Sequence, residues 1–320
     1  MVYKKTNYYI KGKVTVESFK DGKKIREISG ENMVVNNGLA LIRDLLFHKN
    51  VGPTHLEVGE SDTATTATMT NLVSPFSGKD DARGLLTKSY EDEVEVDPLK
   101  RTARFLRYIE PESDLNGSTL KEAGLFNRYN GGTMIARFVL PEAIDKSLGI
   151  KERVGWEFTI SRDDQVLPSL LVDHGLDLIR DAIRNNNQPD LKFFDNRKYL
   201  SHVKLGSSDD ATISSMEGLV SELSDENASR RVTIHKKVDD DVTAPMVRVI
   251  RYLPAGQLLG TNLYETAIFS EFQRNDPQAG IGQFFLRETV SKMFSRAPIT
   301  PAILNDEKTL IWDISIKRGV

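Results

Sequence analysis

The stretch "VNNGLALIRDLL", residues 35–46, recurs later in the same chain as "VDHGLDLIRDAI", residues 172–183. The two stretches share polar as well as apolar positions, so the periodicity of a helix does not by itself explain the match. In both, apolar residues fall three and four positions apart, which predicts an amphipathic helix with its charged residues outward. A repeat of this kind indicates a duplicated unit.

The repeat continues beyond the two predicted helices. Four further pairs of segments follow in the same order: "HLEVGESDTATT" (55–66) with "HVKLGSSDDATI" (202–213), "LRYIEP" (106–111) with "IRYLPA" (250–255), "GSTLKEAGLF" (117–126) with "GTNLYETAIF" (260–269), and "WEFTI" (156–160) with "WDISI" (312–316). This order indicates tandem duplication of a domain of roughly 150 residues, a common domain size. We predict one domain at residues 1–163, including an N-terminal hairpin, and a second at 164–320.

Most of the remaining sequence has the pattern of β-strands. Segments such as "RTARFLRYIE" (101–110) alternate apolar and polar residues and are rich in aromatic and β-branched side chains. Asp21-Gly22 and Asn130-Gly131 predict tight hairpin turns. We therefore predict a mainly β protein with two tandem β-sandwich-like domains, each with one N-terminal amphipathic helix. The alternative is an open antiparallel sheet with the helix packed on one face.

Composition excludes several classes of function. Lys and Arg number 43 against 46 Asp and Glu, so the chain has no overall electrostatic attraction to nucleic acid or anionic lipid, and we predict neither as a partner. The absence of cysteine excludes disulfides, thiolate zinc sites and cysteine nucleophiles. No apolar run resembles a signal peptide or a membrane helix, which predicts synthesis in a reducing cytoplasm.

The sequence contains no convincing catalytic, metal-binding or cofactor-binding constellation. The glycines form no phosphate-binding motif. His55 and His202 occupy matching positions in the repeat, but neither has a second histidine or a carboxylate at ligand spacing. We interpret both as strand-edge histidines and predict no catalytic residue, no metal and no cofactor.

Two glutamates and two arginines also recur, and we predict a structural role for them. Glu122 and Glu265 occupy matching positions, and Arg137 is matched with Arg287. Duplication explains one acid per domain more simply than a paired-acid active site does, because such a site needs both carboxylates at one cleft. We therefore expect one Glu–Arg ion pair inside each domain, fixing the register of its strands.

The second copy has a polar insertion, residues 185–199, that contains Phe193 and Phe194. Loops tolerate insertions and often carry recognition residues. The two rings are candidate interface residues for a neighbouring subunit. The alternative is that they pack on their own domain, as scattered surface apolar residues often do.

The order of "V-x-x-G-L-x-L-I-R-D", "V-G-x-S-D", "E-A-G-L-F", "G-T-M-I-A-R-F" and "W-E-F-T-I" resembles a domain family of tailed-bacteriophage structural proteins, found among baseplate, tail-fibre and neck components. The resemblance covers nearly all of residues 7–160 and, more loosely, 165–318. It implies a virion part without catalytic residues. We expect a tail baseplate or neck connector, synthesised in the bacterial host cytoplasm. Its partners would be other virion proteins and its own copies in a three- or six-fold ring.

Two other classes of function stay open at this stage. A receptor-binding tail-fibre module would recognise the host surface and would use the aromatic insertion at 185–199 as its binding loop. A glycan-degrading enzyme would depend on Glu122 or Glu265.

Overall fold

The computed structural model describes residues 2–46, 52–89, 100–162, 170–171, 173–184, 200–208, 210, 219, 221, 223, 231–232, 234–238, 241–253, 262–275, 287–303 and 308–319. This part of the chain is mainly β, which confirms the predicted class. Its α-helices are α1 (Asn36–Leu45) and α2 (Asp173–Arg184), and a short 3-10 helix spans Asp80–Ala82.

The strands of the described residues fall into two series, one in each copy of the repeat. The first series is β1 (Val2–Lys20), β2 (Lys23–Val34), β3 (His55–Gly59), β4 (Arg83–Leu85), β5 (Thr87–Ser89), β6 (Lys100–Ile109), β7 (Thr119–Phe126), β8 (Met134–Asp145) and β9 (Ile150–Arg162). The second series is β10 (Leu170–Leu171), β11 (Leu200–Gly206), β12 (Arg231–Val232), β13 (Ile234–Val238), β14 (Met246–Leu253), β15 (Asn262–Asn275), β16 (Arg287–Ile303) and β17 (Lys308–Arg318).

The two series have matching strand orders. Strands of the first copy run β2-β8-β7-β3-β4, and those of the second run β10-β16-β15-β11-β12. Likewise β5-β6-β9 corresponds to β13-β14-β17. The register agrees with the sequence repeat, because Trp156 lies opposite Phe105 and its counterpart Trp312 lies opposite Val249.

Strand β1 belongs to both copies. Its residues 2–10 pair in parallel with β17, and its residues 8–20 pair antiparallel with β9. Residues 12–20 also pair with β2, so β17 and β2 follow one another along the edge of β1 that β9 does not occupy. The indole Nε1 of Trp312 donates a hydrogen bond to Thr6 Oγ1 at 2.9 Å inside this junction. The N-terminal hairpin, assigned from the sequence to the first domain, therefore also completes the sheet of the second copy.

Each helix packs on strands of its own copy and of the other copy. Helix α1 packs on β8 of its own copy and on β14 and β17 of the second, while α2 packs on β16 and on β6 and β9 of the first. An ion pair of 2.7 Å joins Arg101 on β6 to Asp177 on α2. At the other crossing, Arg318 at the end of β17 donates to Val34 O at 2.7 Å, just before α1.

One apolar core runs through both copies because of this exchange. It contains side chains of both helices and both tryptophan strands, including Leu39, Ile42, Trp156, Leu176, Ile179 and Trp312, all at most 3% exposed. Burial of apolar surface is the main stabilising term in folding, so the two copies stabilise one another directly.

The two predicted tight turns have different outcomes. Asp21 and Gly22 have φ angles of 49° and 75°, as a type I′ turn between β1 and β2 requires. A tight turn at Asn130-Gly131 is wrong, because β7 ends at Phe126 and β8 begins at Met134. The connection is a longer loop in which Thr133 N donates to Asn127 Oδ1 at 2.7 Å. Of the turn pair, Gly131 alone has a positive φ.

Candidate functional site

The loop that follows β3, residues 60–74, is the most distinctive surface feature of the first copy. Its sequence, "ESDTATTATMTNLVS", is polar, and most of its residues are half-exposed or exposed. It contains neither helix nor strand. Such long irregular loops are uncommon in compact domains, and those that are ordered are often functional.

Backbone hydrogen bonds hold the 60–74 loop at its base and in its middle. Glu60 N donates to Ser74 O at 2.9 Å, which closes the base of the loop. Asn36 N, in the first turn of α1, donates to Ala67 O at 2.8 Å. The loop is therefore fixed to the helix as well as to the end of β3.

A buried ion pair holds the loop from beneath. Arg137 on β8 and Glu122 on β7 are both fully buried, and Arg137 Nε lies 2.7 Å from Glu122 Oε2. Glu122 also accepts hydrogen bonds from Ser74 N at 2.7 Å and Val73 N at 3.2 Å. Arg137 Nη1 donates to Thr63 O at 2.7 Å. The structure thus brings the predicted pair together and directs its other bonds to the loop rather than to the register of the strands.

The second copy repeats this arrangement around the 207–221 loop. Glu265 on β15 is fully buried, and its Oε1 accepts a hydrogen bond from Ser221 N at 3.0 Å. Ser207 N donates to Ser221 O at 2.9 Å, as Glu60 N does to Ser74 O. Asp210 N donates to Ser208 Oγ at 3.1 Å, which matches the bond between Thr63 N and Ser61 Oγ. Residues 211–218 lie outside the described part of the chain.

The predicted pairing of Glu265 with Arg287 is wrong. Arg287 lies opposite Asn275, ten positions along β15 from Glu265, because the β15–β16 hairpin is longer than its counterpart. At roughly 3.3 Å per residue, that separation is far beyond the reach of an ion pair. Arg296 lies opposite Ala267, as Arg137 lies opposite the matching Gly124. The pairing of β16 with β10 also makes Arg296 equivalent to Arg137. Leu170 lies opposite Arg296, and Met33, which matches Leu170 in the first copy, lies opposite Arg137.

The repeated glycine at the end of β3 and β11 makes room for the buried glutamate. A Cβ on Gly59 would lie 2.7 Å from Glu122 Oε1 and 2.4 Å from Ser74 O. A Cβ on Gly206 would lie 2.2 Å from Glu265 Oε1. All three distances are too short for a real contact, so the "G-x-S" of each copy and its buried glutamate form one structural unit.

The surroundings of these two glutamates are those of structural residues. Both carboxylates are fully buried, and that of Glu122 accepts three hydrogen bonds. A general acid or nucleophile has to reach its substrate within hydrogen-bond distance. Within the described ranges, no group of histidine, aspartate or glutamate side chains could hold a metal ion.

His55 has the surroundings expected of a strand-edge histidine. Its Nδ1 lies 2.5 Å from Thr54 Oγ1, and its ring meets the edge of Tyr129 at 5.6 Å between centroids. Burial, together with the positive charges of Arg83 and Arg107, lowers the pKa of His55. The side chain of His202 lies outside the described residues.

A cleft of about 570 Å³ at the far end of β1 was not predicted from the sequence. Its lining includes Phe19, Tyr108, Lys151 and Arg153. Lys151 Nζ lies 4.4 Å from the centroid of the Tyr108 ring, and the Arg153 guanidinium lies 5.5 Å from that of Phe19. The sequence repeat gave one indication of this cleft: Tyr108 matches Tyr252, and the two residues are 40% and 50% exposed.

The predicted interface residues, Phe193 and Phe194, lie outside the described part of the chain. No helix among the described residues is long and apolar enough to cross a membrane.

Comparison of the chain with protein-family models, curated proteins and solved structures found no match.

Proposed function

We propose that the protein is a structural component of a tailed-bacteriophage virion, a tail baseplate or neck connector that holds neighbouring subunits together. The observation that carries the proposal is the pair of matching loops, 60–74 and 207–221, each held by a buried glutamate. The order of sequence motifs that resembles phage tail proteins supports the virion context.

The way the loops are held suits a contact surface. A loop that is already fixed loses little conformational entropy when it binds, so more of the contact energy appears as affinity. Glu122 and Arg137 fix the first loop from inside the protein, which leaves its outward side chains free for a partner. We therefore assign the outer face of the 60–74 loop, and the described residues of its counterpart in the second copy, to contacts with neighbouring virion proteins.

We further propose that each copy, residues 1–163 and 164–320, is a β-sandwich-like unit with one amphipathic helix, which follows β2 in the first copy and β10 in the second. The repeated sheet orders β2-β8-β7-β3-β4 and β10-β16-β15-β11-β12 support two equivalent units. Two similar but non-identical faces in one chain suit quasi-equivalent positions in a ring. A homo-oligomer of three chains would present six such units to a six-fold tail.

The location in the particle tests the virion assignment. Quantitative mass spectrometry of purified particles from the source, with antibody-gold labelling, should find the polypeptide at fixed stoichiometry at the tail tip or neck. Absence from the particle would contradict the proposal.

A substitution on the loop tests the contact surface itself. Ala64→Arg adds bulk and charge on an exposed residue of the 60–74 loop without touching the buried pair. We expect this variant to fold with an unchanged melting temperature but to be incorporated into particles poorly. Ser29→Arg, on an exposed position of β2, is the matched control and should be incorporated normally. Equal incorporation of both variants would argue against the loop as a contact surface.

The aromatic cleft favours a second candidate function, recognition of a host receptor. Aromatic rings and convergent polar groups are typical of ligand pockets. We expect binding of the purified protein to host cells or isolated surface glycans if this role is correct, and Tyr108→Ala should weaken it. Tyr252→Ala, at the matching position of the second copy, is the control.

A further inference from the structure

Lys146, directly after β8, is buried in an unusual environment. Its side chain is 1% exposed. Its Nζ donates to Asn116 Oδ1 at 3.1 Å, to Ser147 O at 3.3 Å and to Ile150 O. All three acceptors are neutral, and no carboxylate of the described residues lies within ion-pair distance. Burial of an ammonium group without a contacting carboxylate is unfavourable, even though its three N–H donors match these three acceptors.

A buried glutamate lies near this amine. Burial lowers the pKa of Lys146, and among the charges that oppose this effect, that of Glu152 is the largest. Glu152 is 1% exposed, and burial raises the pKa of its carboxyl group although Ser18 Oγ donates to it at 2.7 Å. Burial thus shifts the pKa of each group toward its neutral form, while the charge of the other group opposes that shift.

The second copy lacks all three residues at the corresponding positions. The corresponding positions follow from the strand pairing in each copy. Thr119 lies opposite Asp145 as Asn262 lies opposite Ile303, and Ile109 lies opposite Glu152 as Leu253 lies opposite Lys308. In place of Asn116, Lys146 and Glu152, the sequence of the second copy has Leu259, Leu304 and Lys308. Leu259 and Leu304 lie outside the described residues, but the described strands of the second copy repeat the fold of the first without this polar set in their sequence.

We propose that Lys146 and Asn116 react to form an intramolecular isopeptide bond. The neutral Nζ of Lys146 attacks Cγ of Asn116, a new C–N bond forms, and the Cγ–Nδ2 bond breaks. A proton passes from Nζ to Nδ2, which leaves as ammonia, so the reaction needs no oxidant or other reactant. Amine and carboxamide are already in hydrogen-bond contact, which is the proximity such a reaction requires. Glu152 does not touch the reacting atoms; its negative charge stabilises the positive charge that develops on Nζ during the attack.

The backbone around Asn116 disfavours a competing reaction. Asn116 precedes Gly117, and in such a pair the glycine amide nitrogen can attack the asparagine side chain to give a succinimide. Here Gly117 N donates to Lys146 O at 2.9 Å, and Lys146 N donates to Ser118 O at 2.9 Å. These bonds direct the glycine nitrogen away from its own neighbour's carboxamide and hold the two chain segments together.

The mass of the purified full-length chain tests the proposal. We expect an intact mass lower than that of the sequence by one ammonia. Trypsin should then release a branched peptide that joins residues 108–121 to residues 138–151, with cleavage after Lys146 blocked. Separate linear peptides, with Lys146 as a free amine, would overturn the proposal. An ammonia loss confined to linear 108–121 and sensitive to hydroxylamine would indicate a succinimide and would also overturn it.

Two variants test the isopeptide bond and the role of Glu152 separately. Lys146→Arg keeps a cation but cannot form the amide, so it should have the full sequence mass. Glu152→Gln should accumulate as uncross-linked protein with a native circular dichroism spectrum and convert slowly. Complete cross-linking of Glu152→Gln would overturn the role given to Glu152. The proposal does not depend on the virion assignment, because the measurement is made on the isolated chain.

Discussion

At the scale of single residues, Glu122 joins strands β7 and β8 to the 60–74 loop. Glu122→Gln removes the negative charge opposite the fully buried Arg137. We expect a loss of roughly 3 kcal/mol in the free energy of unfolding, because an unpaired buried charge is costly. Urea unfolding measures this, and limited proteolysis should show faster cleavage within the 60–74 loop.

The matched control is Glu157→Gln, which removes a partner of Arg104 on a partly exposed face of the sheet. Ion pairs of this kind contribute only about 0.5 kcal/mol. If both variants lost the same small amount of stability, the buried pair would not be the anchor of the loop.

His55 gives a pH dependence whose sign follows from its surroundings. Burial and the charges of Arg83 and Arg107 lower its pKa in the folded state. Between that lowered pKa and the unfolded value of about 6.5, the unfolded chain binds more protons. The free energy of unfolding should therefore fall as the pH decreases through this window. His55→Gln should show a shallower dependence in urea titrations at pH 8 and pH 5, and an unchanged slope would contradict this account.

At the scale of elements, strand β1 supplies a partner to β17. Removal of residues 1–7 should leave most of that edge of β17 unpaired, since the parallel pairing spans residues 2–10. We expect amide exchange in β17 to speed up roughly tenfold or more, as in other locally destabilised elements. The amides of β9 that pair with residues 12–20 serve as an internal control and should stay protected. Unchanged exchange in β17 would argue against the shared strand.

The register of β16 leads to a separate prediction. Arg296→Gln should cost roughly 3 kcal/mol, because Arg296 occupies the position that Arg137 has in the first copy. Arg287→Gln, far along the hairpin from Glu265, should change stability by no more than about 0.5 kcal/mol. Urea unfolding measures the loss of stability in both variants. A larger loss for Arg287→Gln than for Arg296→Gln would show that the register is different.

These elements also show what the sequence could predict. The helices followed from apolar spacing and the Asp21-Gly22 turn from its residue types, because both are local properties. The equivalence of Arg296 with Arg137 did not follow from the sequence. Aligning Arg287 with Arg137 places the extra residues of β16 on the wrong side of the arginine. A long hairpin with several arginines leaves its register undetermined by local pattern.

At the scale of the whole molecule, the exchanged helices couple the two copies. Helix α1 packs on β14 and β17, and α2 packs on β6 and β9. We therefore expect one calorimetric unfolding transition for the full chain. Fragments 1–163 and 164–320, expressed separately, should each fail to give a cooperative transition. Two resolved transitions, or a fragment that unfolds cooperatively alone, would contradict the coupling.

The duplication could be read from the sequence, but the sharing of strand and helices could not. Repeated motifs record equivalence between residues such as Trp156 and Trp312, whereas the pairing of β1 with β17 joins segments that have no motif in common. Two separate units and two interlocked units bury the same apolar faces, so their hydrophobic patterns are alike.

The shared strand has a consequence for how the protein is made. Val2 pairs with Leu310, so the ribosome synthesises almost the whole described chain between the two partners. At translation rates of about 5–20 residues per second, the wait amounts to tens of seconds or less. During that time residues 2–10 form an edge that can recruit a foreign strand. Completion of the second half therefore waits until β17 has been synthesised, and chaperones that shield nascent N-terminal segments should raise the yield of native protein.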